Sequence, residues 1–347
     1  MSARQRLVPL SEPDEWAEAL TRTPHAFAHT WASCKAMQLS TGWPTYLYTW
    51  ENGSSYAVCA VAERGMPGEE DVVTPYGFGG LVGTQVDAQV LEDWTRWARE
   101  RGWVCGYLGL NPLLGSPVLR ESGDYAEHND VYVLDLRQGS RDLFAALSTN
   151  RRRQVRAFDK GGVRRIGDGG QRLRTFFLDN VDAFLRERGA TSTYAFTRAT
   201  YEALLDSEDV TFHGVEDRDG QIVAATVLAW TPYCGEYLFG ISLPEGRRWS
   251  AALLWAGALQ LAERDIPYLN LGGGVRRGDG VADFKARFGG SRLPLGALRQ
   301  VYRPRTYVEL CRAAGVEPDD RTGFFPAYRA PDLAVPRFSG GTRRPSS

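Results

Sequence analysis

Apolar residues recur at helical spacing in several stretches of the chain. Over residues 90–101, Val90, Leu91, Trp94, Trp97 and Ala98 fall on one face and Gly102 supplies a stop, which predicts an amphipathic helix. Residues 251–262 are apolar all round, interrupted only by Gly257 and Gln260. That run is too short to cross a bilayer and predicts a buried helix over 250–264. Similar patterns predict helices at 12–20, 28–38, 143–160 (closed by Gly161 and Gly162), 173–188 and 198–206. Runs rich in β-branched and aromatic residues, bounded by Gly and Pro, predict strands at 45–50, 55–62, around Leu81, and at 104–110 and 131–136. Further strands are predicted at 210–215, 222–230, 235–241 and 268–271. The order describes two α+β units in sequence, each with a central mixed sheet flanked by helices, and so an α/β (α+β) chain.

The 347 residues fit two domains better than one core. With 43% hydrophobic and 24% charged residues the composition is that of a globular protein, and the first residues hold no apolar run of signal-peptide length. Residues from 331 onward are rich in Pro, Gly, Ser and Arg and are expected to form a flexible tail. A net charge of −1 confines any polyanion site to a local patch. Cys34, Cys59, Cys105, Cys234 and Cys311 are odd in number and widely spaced, as expected of reduced thiols in the cytoplasm. Four histidines without a metal-ligand spacing argue against a metal enzyme. The glycine clusters at 77–83 and 272–278 miss the dinucleotide spacing, and no nucleophile elbow is present. Of 41 basic residues only Lys35, Lys160 and Lys285 are lysines. The bias fits codon supply in a G+C-rich genome, and it singles out the positions that keep a compact ammonium.

Two stretches can carry chemistry. Residues 148–165 hold seven basic residues and one acid, Asp159. On a helix, Arg152, Arg156 and Lys160 line one face, which is either a phosphate or RNA contact or a solubilising face beside a hinge. In residues 268–290 a strand ends in three glycines, a basic loop follows, and Phe284 and Phe288 stand four apart around Lys285. Glycines at a strand end allow close backbone approach to a ligand, and two anchoring aromatics would hold a catalytic cation rigidly. Asp283 is either a base or the ion-pair partner of Arg287. Residues 74–83 and 190–196 are weaker candidates, each readable as a ligand loop or as packing.

Phe284-Lys285-x-x-Phe288-Gly289, following the strand and glycines of 269–274, resembles the F-K-x-x-F-G signature of the FemABX aminoacyl transferases within the GNAT superfamily. Matching stretches follow in order: His29-Thr30-Trp31 with Lys35, Pro75-Tyr76-Gly77, Asn111 to Leu114, the basic stretch 151–163, Tyr194-x-Phe196, and 237–241 leading into 250–262. The resemblance covers about residues 5–310 and implies two tandem GNAT-like domains. The first would span 1–146 and be completed by a segment returning at about 299–330; the second would span 147–298.

It implies transfer of an aminoacyl group from charged tRNA to an amine of a cell-wall precursor or a peptide-like small molecule, such as an antibiotic intermediate. No cofactor beyond the tRNA donor and no metal would be involved, and the protein would be a cytoplasmic monomer without membrane insertion. Lys285 would be the catalytic cation. Lys35, Tyr76, Tyr194, Tyr237 and Phe284 would bind substrate, and Arg152, Arg156 and Lys160 would hold tRNA phosphates. The tRNA ribose hydroxyl or water would serve in place of a protein base. Gly79-Gly80 departs from the family's Gly-Pro, which leaves the acceptor open. The rivals are acyl-CoA-dependent transfer, disfavoured because residues 247–252 put Ser and Ala where a pyrophosphate loop has glycines, and a tRNA-binding module without activity.

Overall fold

A computed structural model describes residues 3–158, 160–167, 170–188, 196–319 and 323–333. The first unit runs β1 (Arg4–Pro9), α1 (Pro13–Thr21), α2 (Trp31–Thr41), β2 (Thr45–Asn52), β3 (Ser55–Met66), β4 (Glu69–Val73), β5 (Val82–Thr84), α3 (Gln89–Glu100), β6 (Cys105–Gly109) and β7 (Tyr125–Asp135). The second runs α4 (Gly139–Ala146), α5 (Thr149–Phe158), β8 (Arg164–Gly167), α6 (Gln171–Glu187), α7 (Arg198–Leu205), β9 (Val210–Glu216), β10 (Ile222–Thr231) and β11 (Cys234–Ser242). It continues through α8 (Ser250–Glu263), β12 (Tyr268–Asn270), α9 (Gly280–Ala286), β13 (Ser291–Val301) and α10 (Pro304–Ala313).

Each unit is an antiparallel meander followed by a helical crossover to a parallel strand. In the first, β1-β2-β3-β4 is followed by α3, and β6 pairs in parallel with β4 through Val72–Gly106 and Val73–Tyr107. In the second, β8-β9-β10-β11 is followed by α8, and β12 pairs in parallel with β11 through Gly235–Leu269 and Glu236–Asn270. Both parallel pairs are two residues long, so the hydrogen-bonded ladder between the strands ends there.

The units share one sheet. β13 lies antiparallel between β6 and β7, and β7 in turn pairs with β12, so the strand that follows each crossover joins the other unit's last strand. This return begins at Ser291, not near residue 299. Trp94 of α3 fastens it by donating to Gln300 Oε1 (3.0 Å) and to Tyr302 Oη (2.8 Å). A second tie joins α2 to α7, where Thr200 Oγ1 is 2.6 Å from Ser40 Oγ and donates to Ala36 O at 3.0 Å.

α3 buries Val90, Trp94 and Ala98 against the first unit's core of Tyr48, Trp50, Trp103 and Leu108. α8 buries residues on all sides because it lies between β9–β11 and the α4–α5 layer, as its unbroken apolar run requires. The helix expected over 143–160 is instead two helices, α4 and α5, separated by Leu147 and Ser148. Leu147 is buried in the core, and Ser148 Oγ accepts from Arg151 N (3.3 Å) to open α5. No helix among the described residues is long and apolar enough to cross a membrane.

Candidate active site at the seam of the two units

β12 runs out at Asn270, whose side chain accepts from Gly272 N (2.8 Å), and the chain turns away at Gly272 with φ of 72°. The loop re-enters helix at α9, where Asp279 accepts from Val281 N (2.9 Å) and Ala282 N (2.8 Å). Five contacts hold the far side of this short helix. The buried Arg151 guanidinium donates to Phe284 O (3.1 Å) and lies over the Phe284 ring (4.2 Å) and the Phe288 ring (5.3 Å). The Phe284 and Phe288 rings pack 5.6 Å apart, and Ser148 N donates to Arg287 O at 3.0 Å. Asp283 pairs with Arg287 at 2.7 Å.

With that face anchored, Lys285 reaches back under the strand end. Its Nζ donates to Gly273 O (2.7 Å) and lies 5.7 Å from the centre of the Tyr237 ring on β11. Burial lowers its pKa to about 8, against an opposing pull from Asp279. The group therefore remains largely protonated at pH 7, with two N–H bonds not used by Gly273. Gly272 is required here, since a Cβ at that position would stand 3.0 Å from Lys285 Nζ and 3.4 Å from Phe78 Cζ.

Phe78 comes from the first unit, and its loop is tied down residue by residue. Asn111 Nδ2 donates to Phe78 O. His29 Nε2 lies 2.8 Å from Gly80 O while its Nδ1 accepts from Ala26 N (3.1 Å), which assigns the proton to Nε2. A Cβ on Gly77 would stand 2.7 Å from Ala28 Cβ, so the loop lies flat on the turn Phe27–His29. Tyr76 packs edge-on against Phe196 at 5.1 Å. Burial pushes the Tyr237 hydroxyl up to about 12, leaving it protonated.

Of the residues proposed from sequence, the seam brings together Lys285 and Tyr237, with Phe78 and Gly272 between the units. Phe284 packs on Arg151 and Phe288, the face of α9 that anchors the helix. Lys35 is exposed on α2. Arg152 donates to Ala145 O and Leu147 O (both 2.7 Å), the open carbonyls at the end of α4. Arg156 lies over the Phe144 ring at 5.2 Å. Lys160 is exposed in the turn past α5, so it does not continue the Arg152–Arg156 stripe. Tyr194 lies outside the described residues.

Three residues here escaped the sequence reading. Arg151 was one of a run of three arginines and is the one that turns inward. Phe78 was hidden among glycines. Glu236 is a lone acid in an otherwise apolar strand, 2% exposed, with Oε1 lacking any partner among the described residues. Burial pushes its carboxyl up to about 8.

Residues 247–252 form the end of a short turn, Pro244–Trp249, that runs directly into α8. Gly246 abuts Val223 O and Trp249 is buried against Phe158 (5.5 Å), so this stretch serves packing. Among the described residues no group of His, Cys, Asp and Glu is placed to hold a metal ion.

Residues 146–286 match the acetyltransferase (GNAT) domain family. The structure is similar to FemX over 88% of this chain and 98% of that one, with a TM-score of 0.65 and 12% identity. L-PGS from Bacillus licheniformis aligns over 88% and 98% of the two chains, with a TM-score of 0.56 and 12% identity. The C-terminal domain of a putative lysylphosphatidylglycerol synthetase from Agrobacterium fabrum aligns over 84% and 92%, with a TM-score of 0.55 and 14% identity. None of the curated proteins compared matches the sequence. The chain thus has the GNAT acyltransferase fold, and its architecture across both units is FemABX-like.

Proposed function

We propose that the protein is an aminoacyl transferase that moves an amino acid from the ester of a charged tRNA to an amine, with Lys285 as the cation that meets the developing oxyanion. The observation that carries this reading is the placement of Lys285: a half-buried, still charged ammonium, fixed by an anchored helix beside Tyr237, just past the end of the β11–β12 pairing. An aminoacyl ester is already activated, so its aminolysis needs an amine in line and a positive charge at the tetrahedral oxygen. The amine nitrogen bonds to the ester carbonyl carbon, and its excess proton passes through the neighbouring ribose hydroxyl of the tRNA or water toward the ribose oxygen that will leave. The carbonyl oxygen takes up negative charge beside Lys285 Nζ, and the ribose oxygen then departs with a proton as the amide forms. Charged tRNA is the donor and partner in this reading. The acceptor is a small-molecule or cell-wall-precursor amine, and the reaction is cytoplasmic. Tyr76 and Tyr237 flank the substrates.

The match of residues 146–286 to an acetyltransferase domain supports a second reading, transfer from acyl-CoA. The packed turn before α8 speaks against it.

A donor competition separates the two. Purified protein is given an amine-rich metabolite extract with either charged total tRNA or acetyl-CoA, and products are followed by mass. Aminoacyl products that vanish after RNase treatment are expected with wild type. They should fall about 100- to 1,000-fold with Lys285→Ala, the usual loss for an oxyanion donor. Acyl products formed from acetyl-CoA alone would overturn the tRNA reading.

A further inference from the structure

Five acids are buried among the described residues: Glu63, Asp71, Asp93, Glu216 and Glu236. Four have side-chain donors. Glu63 accepts from Trp103 Nε1 (3.0 Å) and Asp93 from Trp50 Nε1 (3.0 Å). Asp71 accepts from Arg64 Nε (2.5 Å), Tyr328 Oη (2.7 Å) and Arg329 Nε (2.6 Å), while Glu216 pairs with Arg164 and Arg172. Glu236 differs from these, because its carboxyl has only a backbone donor, the Phe27 N–H, and its Oε1 has no partner. Its surroundings offer no charge. Ala229 is its register partner on β10 and Asn270 its partner on β12, with the Asn270 side chain committed to Gly272 N. The Phe27 backbone N–H of the first unit donates to the carboxyl, and the nearby Cys234 thiol is held neutral by burial.

A buried carboxyl oxygen without a partner is destabilising, and completion by a ligand is one way in which such a group persists. The place is specific: Glu236 is the last residue of β11 paired with β12, and the next residue, Tyr237, carries the ring beside Lys285 on the opposite face of the strand. We propose that Glu236 is the anionic anchor for a protonated primary amine of the substrates, set where the β11–β12 pairing ends and on the face of β11 opposite Tyr237 and the Lys285 ammonium. The inference rests on the aminoacyl-transfer reading. Two amines have this chemistry, the α-ammonium of the aminoacyl donor and the amine of the acceptor. With no amine bound the carboxyl keeps its own proton, since burial holds its pKa at about 8, and an entering ammonium takes the place of that proton.

The test compares wild type, Glu236→Gln and Glu236→Asp in the product assay, using charged total tRNA either untreated or N-acetylated on its α-amines. If the anchor holds the donor, N-acetylation and Glu236→Gln each reduce product at least 100-fold, and combining them costs no more than either alone. If it holds the acceptor, N-acetylated donor serves wild type normally and Glu236→Gln raises the acceptor KM at least 100-fold. In both cases Glu236→Asp recovers part of the loss. Wild-type turnover by Glu236→Gln with every substrate overturns the proposal, as does a fall in kcat alone that is indifferent to donor acetylation. Should wild type make product only from acetyl-CoA, the tRNA reading fails, and the acceptor KM measured with acetyl-CoA decides the anchor separately. A fold check runs alongside. The raised carboxyl pKa contributes stability that is lost as pH climbs from 4.5 to about 8, so Glu236→Gln should match wild type in Tm at pH 5 and exceed it at pH 9.

Discussion

Arg151 and Arg152 are adjacent in sequence and identical in chemistry, yet they do different work because α5 turns them about 100° apart. Arg151 points inward, stacks on Phe284 and Phe288, and bonds the Phe284 carbonyl one residue from Lys285. Arg152 faces back along the chain and satisfies the carbonyls that α4 leaves open. Removal of Arg152 by alanine is therefore expected to lower unfolding stability by about 1 kcal/mol. It should change the salt dependence of tRNA binding little. Lys160→Ala is expected to do the opposite, leaving stability alone and reducing the slope of log affinity against log salt by about 0.9 if its ammonium meets a phosphate. Parallel denaturant melts and salt titrations of the two variants check this pair, and a large slope change for Arg152→Ala would restore it to the nucleic-acid face.

At the level of elements, the sequence was readable where one segment supplies its own pattern. α3, α8, the β2–β3 hairpin and the β9–β10–β11 meander all fall within a few residues of their expected ranges, because their apolar faces repeat at a constant period. The elements it missed depend on partners elsewhere. β13 is interrupted by Pro294 and Gly296 and makes sense only between β6 and β7, far away in sequence. β4 is short and opens with Glu69, Glu70 and Asp71, and β8 is an edge strand beginning with two arginines. The split of α4 from α5 hinges on Leu147 entering the core.

The site divides in the same way. Lys285 was visible through its motif and the rarity of lysine, whereas Glu236 stands out only once the unpartnered Oε1 of its buried carboxyl is seen. The turn Phe27–His29 belongs to this scale too, since His29 staples it to the 75–80 loop. Burial lowers the His29 pKa from 6.5 to about 4. The unfolded chain takes up a proton on His29 below pH 6.5 that the folded chain refuses until about pH 4, so this stabilisation is present above 6.5 and is lost as pH falls through that window. It amounts to about 3 kcal/mol. Melts of wild type and His29→Gln between pH 7 and 4 should show a steeper acid loss in wild type. Parallel curves would mean that His29 is accessible to solvent protons in the folded state.

The whole molecule is two copies of one plan that exchange their final strands, so the units form a single sheet with a seam along β13, β7 and β12. Lys285 sits at that seam, on a helix whose anchor comes from α5 and under a loop supplied by the other unit. The arrangement explains why a short, glycine-rich segment can hold a cation firmly without a charged partner in contact. It also makes the cation titratable, because the burial that fixes it lowers its pKa to about 8. The most direct test of its role is the pH profile of kcat/KM for RNase-sensitive aminoacyl transfer by wild type and Lys285→Arg. Wild-type activity should fall above about pH 8 as the ammonium loses its proton, and the guanidinium variant, slower but permanently charged, should hold its rate across the same range. An alkaline fall identical in both proteins would contradict Lys285 as the charge that drives transfer.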